Sequence, residues 1–195
     1  MKLLLENWRQ YLNEAAMGIG NLPERTVVVI EDVPGGVEIY YSDLGDPGST
    51  DTYPYGRIRI ERTSYKPEKD CDGTWSVVTS KADSGWGPML YDIAMEWATQ
   101  NANGLMADRA SIEDEAKNVW DYYLNKLDDD SGLRVRSDVQ AHQVGDDNCD
   151  QYVAIEDRGE DDWANSPLSK RYTKEPTTIK ALEDAGKLRS GRDMK

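Results

Sequence analysis

Thr74-Trp75-Ser76-Val77-Val78-Thr79 is followed, after three residues, by Asp83-Ser84-Gly85-Trp86-Gly87-Pro88-Met89. The first stretch is β-branched and aromatic, as a half-buried strand requires. The second carries two glycines and a proline, which let the backbone turn tightly and start a helix. Beyond it the period changes from 2 to 3.6: Met89, Leu90, Ile93, Ala94, Trp97 and Ala98 share one helical face, predicting a helix over 88–101. Asn103-Gly104 stops it, and Leu105-Met106-Ala107 suits a short buried strand. A second helix starts near Ser111, with Glu113 and Glu115 at the positive end of its dipole. Its apolar stripe is Ile112, Ala116, Val119, Trp120, Tyr123, Leu124 and Leu127. The segment therefore reads strand, glycine turn, helix, strand, helix.

Upstream the pattern is β. Thr26 to Ile30 is a β-branched run, Val37 to Tyr41 alternates behind the turn Pro34-Gly35-Gly36, and Arg57 to Arg62 alternates strictly. Together with 74–79 these strands predict an antiparallel meander. The expected class is mixed α/β (α+β), with a mostly antiparallel sheet around the central strand-loop-helix-strand-helix unit. Three regions are expected: an amphipathic helix over 1–22, a core over 23–143, and an extension over 144–195 with an acidic loop and a short helix. That short helix starts after Glu175-Pro176-Thr177, buries Ile179 and Leu182, and stops at Gly186.

The element order and the glycine turn resemble the acyl-CoA-binding core of the GCN5-related N-acetyltransferase family. Its loop reads Gln/Arg-x-x-Gly-x-Gly/Ala. Gly85-Trp86-Gly87 matches the glycine half, and Ala82 stands where Gln or Arg is expected. The resemblance implies acetyl-CoA as cofactor, with backbone contacts to the pantetheine arm from about Val78 and Ser80. It also implies pyrophosphate contacts from Ser84, Gly85, Trp86, Gly87 and Met89. The family's second helix carries Asn-x-x-Ala and then a Tyr four residues later, the acid for the departing thiolate. Here Ala116 aligns, Glu113 replaces the Asn, and Trp120 stands at the Tyr position. A slip of one turn makes Tyr123 the candidate acid. Glu61 and Asp108 are candidate general bases toward an unidentified amine. Trp86, Trp97 and Trp120 are expected to be core residues before they are cofactor clamps.

At the other end, Leu4, Leu5, Trp8, Tyr11 and Leu12 form one helical face that Gly18 and Gly20 end. This peptide resembles the capsid-targeting helices of internal head proteins in large tailed phages, which a prohead protease removes after a Leu/Ile-x-Glu triplet. Leu12-Asn13-Glu14, before Ala15-Ala16, is such a triplet. The resemblance implies a phage protein in a bacterial cytoplasm or a virion interior. The alternative function is then a non-catalytic internal or host-interaction protein on the same fold.

Charge and composition narrow the field. The 195 residues hold 37 Asp and Glu against 23 Lys and Arg, a formal −14, which argues against non-specific nucleic-acid binding. No apolar run approaches the ~20 residues of a membrane helix, so no membrane association is expected. The charge is uneven: a local −9 over 128–162 and +4 over 170–195. Asp146 to Asp157 places oxygen ligands at calcium-loop positions, but Gln151 replaces the turn glycine, so a solvated acidic loop is expected. With two cysteines, Cys71 and Cys149, and one histidine, His142, neither a disulfide framework nor a structural zinc site is expected. His142 is expected to follow a strand at Leu133-Arg134-Val135-Arg136. Lys170 to Lys174 is expected to pair with the chain's own acidic stretch.

Overall fold

Alternating apolar residues become strands where turn residues bracket them, and the computed structural model places four such strands ahead of the glycine turn. The structure describes residues 18–45, 53–62, 74–108, 114–127, 139–142 and 166–194. The amphipathic peptide before Gly18, the Leu12-Asn13-Glu14 triplet, both cysteines, the start of the second helix at Ser111, the segment 133–136 and the acidic loop over 146–157 lie outside these residues. The fold is mixed α/β, as expected. The described residues form two compact units, one from 18–45, 53–60, 79–94 and 176–194, the other from 61–62, 74–78, 95–108, 114–127, 139–142 and 166–175.

In the first unit, β1 (Thr26–Val33) and β2 (Gly36–Asp43) form an antiparallel hairpin across Pro34-Gly35, in register from Thr26↔Asp43 to Val33↔Gly36. Beside β2 lies β3 (Gly56–Arg62), whose residues up to Ile60 belong here. Val28, Ile39, Tyr41, Ile58 and Ile60 are fully buried and build the core. Burial of each such aliphatic side chain is worth about 1.5–3 kcal/mol. On the edge of β1, β8 (Leu188–Ser190) adds in parallel, with Val28 opposite Leu188. The helix α3 (Thr177–Asp184) precedes it and buries Ile179 and Leu182, as its spacing predicts. Lys187 fixes this junction: its ammonium donates to the carbonyls of Pro23, Glu24 and Thr26 at 2.7, 2.6 and 3.2 Å. Glu38 and Glu31 sit directly opposite each other in the hairpin. Such like-charge pairs repel. Arg57 (3.0 Å) supplies Glu38 with a counter-charge, and the Tyr53 hydroxyl (2.8 Å) donates to its other carboxylate oxygen.

In the second unit, the start of β4 (Trp75–Ala82) pairs in parallel with β5 (Leu105–Met106). The parallel direction follows from the helical crossover between them, α1 (Gly87–Asn101), whose last seven residues lie in this unit. Antiparallel β7 (Arg171–Lys174) lies beside β5, and β6 (Val139–His142) beside β7. His142 ends β6, paired with Arg171, while the strand expected at 133–136 lies outside the described residues. Lys174 is buried and ion-paired to Glu96, on α1, a partner that the sequence reading does not name. The helix α2 (Asp114–Leu127) supplies Trp120 and Tyr123, which pack against Tyr172 of β7 with ring centroids 5.0 and 6.4 Å apart. Trp97 meets Trp75 edge-on at 4.8 Å. Trp120 is a core residue, as expected, and so is Trp75, whereas Trp97 is half-buried. No described helix is long and apolar enough to cross a membrane.

Candidate functional site

The candidate site is built in the first unit where β4 ends. Residues Thr79 to Ser84 are all exposed, although they continue a strand whose first three residues are buried. In the second unit the β4–β5 ladder holds two pairs, Trp75↔Leu105 and Ser76↔Met106, and Trp75 gives its N–H to Gly104. In the first unit Asp83, just past the end of β4, gives its N–H to Tyr55.

The turn itself is tightly specified. Trp86 N–H donates to Asp83 O at 3.0 Å, and Gly85 has φ +85°, the type II arrangement that calls for glycine at its third position. The Tyr41 hydroxyl donates to Trp86 O at 2.8 Å. The Trp86 ring stacks on Tyr55 at 4.0 Å and meets Tyr41 edge-on at 4.8 Å, so the indole is core and only its backbone borders the turn. A helix start leaves its first N–H groups without intrahelical acceptors. Trp86 has spent its N–H on the turn and Pro88 has none, so Gly87 and Met89 supply the remaining donors. Met89 is only 5% exposed as a whole residue, whereas Gly87 is half-buried, so the Gly87 amide is the more accessible of the two. One accessible amide at a helix start is a modest anion contact.

Gly56 holds this end of the strand close. Its φ is +138°, and a Cβ there would come within 2.6 Å of the Ala82 backbone. Gly56→Ala is expected to lower stability by about 1–3 kcal/mol in urea unfolding, from backbone strain plus this clash. By contrast, Gly87 would bring a Cβ only to 3.7 Å of Ala82, an ordinary contact.

The expected site residues divide between the units. Ser80, Ser84, Gly85, Trp86, Gly87 and Met89 lie together in the first, along one strand end and its turn. Val78, Glu61, Asp108 and Tyr123 belong to the second. Val78 is 37% exposed, one of two large hydrophobic side chains exposed among the described residues, with Leu44. Glu61 and Asp108 are half-buried, and Tyr123 has no exposed surface. Among the described residues no group of three His, Cys, Asp or Glu side chains could hold a metal ion.

Tyr41, Tyr55 and Tyr91 were missed by sequence reasoning. Tyr91 lies on α1 one turn after Gly87, and its hydroxyl is 2.9 Å from the Ser80 Oγ. Its one sequence signal is a hydroxyl within the otherwise apolar stripe that opens the helix. No family model, curated protein or solved structure matches this chain.

Proposed function

We propose that the outer half of β4 and the glycine turn bind an acyl-CoA, and that the chain is an acyl-CoA-binding, N-acetyltransferase-like protein acting on an amine. One observation carries this reading: β4 leaves its parallel partner after Ser76 and runs on exposed into a glycine turn that opens a helix. An extended arm carrying amides fits beside such a strand, because a free strand edge offers alternating N–H and C=O groups. A diphosphate fits at the turn, where the Gly87 amide and the helix dipole favour negative charge. Transfer would proceed by attack of the amine nitrogen on the thioester carbonyl, with the C–S bond breaking and the thiolate taking up a proton. Glu61 and Tyr123, the residues that the resemblance and the sequence offer for the two proton transfers, belong to the other unit. Isothermal titration with acetyl-CoA is expected to give saturable binding, and none at millimolar ligand removes the reading.

The burial of Tyr123 behind Trp120 and Tyr172 favours a second reading, a non-catalytic phage or host-interaction protein on the same fold. A donor with no exposed surface cannot reach a thiolate without rearrangement. Thiol release from acetyl-CoA, measured with a panel of amines, separates the two: binding without release favours the second.

A further inference from the structure

β8 borders β1 on one side and no described strand on the other. An outermost strand turns half of its backbone groups outward, where a further strand can pair with them. The register shows which groups these are. Val28 lies opposite Leu188, and its N–H donates to the carbonyl of Lys187 at 2.8 Å. Alternate residues of a parallel strand face the partner, so Leu188 turns its N–H and C=O away from β1. That outward carbonyl is already occupied. Arg189 Nη1 donates to it at 2.7 Å and to the carbonyl of Gly186 at 3.0 Å. Just beyond, the chain leaves the edge in a short helical turn, Gly191–Met194, where Arg192 gives its N–H to the Ser190 Oγ at 3.3 Å.

We propose that Arg189 guards this edge, its guanidinium filling the acceptor that strand addition needs and so keeping β8 from pairing with β8 of a second copy. Two copies set antiparallel about Leu188 would exchange both N–H···O bonds of that residue, a self-complementary two-fold contact. With Arg189 in place, each edge offers the Leu188 donor without its acceptor. The competing duty is a local brace of Gly186 to Leu188, whose loss would lower stability and leave association unchanged. Charge does not confound the two. The chain carries a formal −14, and removing an arginine increases the repulsion between copies.

Sedimentation velocity over a rising concentration series, with amide hydrogen exchange at Leu188, tests the guard. Arg189→Ala and Arg189→Ser both leave a side chain too short to reach the carbonyl, and circular dichroism of dilute samples checks that they fold. The unaltered protein is expected to keep the mass of one chain throughout. Each variant is expected to double its mass as concentration rises, and exchange at Leu188 to slow about ten-fold in the associated form. Variants that keep the mass of one chain overturn the guard, and so does association that leaves Leu188 exchange unchanged. An unaltered protein that already pairs through Leu188 overturns it as well.

Discussion

Lys174→Ala is expected to lower the free energy of unfolding by about 3–5 kcal/mol, because it strands the carboxylate of Glu96 in the interior. Both side chains of this pair are almost wholly buried, 1% and 0% exposed. Lys174 also ties β7 to α1 through its backbone, where its N–H donates to Thr99 Oγ1 at 3.0 Å. Truncating the lysine keeps that backbone bond but removes both the counter-charge and a buried aliphatic stem, so Lys174→Met, which keeps the stem, reports the charge more directly. Urea unfolding of Lys174→Ala and of the double variant Glu96→Leu/Lys174→Met provides the check. The double variant is expected to recover most of the loss, since two apolar groups of similar volume leave no unpaired charge. A loss below about 1 kcal/mol in the single variant would mean that water reaches the pair.

Trp120→Ala is expected to cost about 3–5 kcal/mol, the usual range for deleting a large buried aromatic side chain. Trp120 is 1% exposed and lies 5.0 Å from the Tyr172 ring. Tyr172 is itself fixed, since its hydroxyl donates to Pro167 O at 2.8 Å, so the cavity cannot close by a simple swing of that ring. The measurement is again urea unfolding, with near-ultraviolet circular dichroism to follow the aromatic packing. A loss under 1 kcal/mol would show that α2 settles into the gap.

Much of the fold was legible because its strands and helices are long enough to display a period. Thr26–Val33, Gly36–Asp43, Gly56–Arg62 and Gly87–Asn101 each span at least two repeats of their pattern; the spacing gives the last two to within one residue, and five of the eight residues of each of the first two. β7 and β8 were not legible. Arg171-Tyr172-Thr173-Lys174 shows only two alternations, and its charged ends resemble a solvated surface. Lysine is so seldom buried that only its distant partner, Glu96, could reveal Lys174 as interior. Within the candidate site, the glycine turn was legible from Gly85, Gly87 and Pro88. The Tyr91–Ser80 bond was hidden because it joins a helix residue to a strand residue through side chains, which no local spacing encodes. Trp86 was read both ways, as packing and as a contact of the turn, and its ring stacks on Tyr55.

The parallel pairing of β8 with β1 also bears on the order in which the molecule can assemble. Val28 and Leu188 face each other although 160 positions separate them. Until the residues near 190 have been synthesised, the β1 edge lacks this strand, and the carbonyls of Pro23, Glu24 and Thr26 lack the Lys187 ammonium. An early hairpin of β1 and β2 therefore waits on the ribosome with an open edge. This pairing is a non-local contact that only the nearly complete chain can make, and such contacts slow folding.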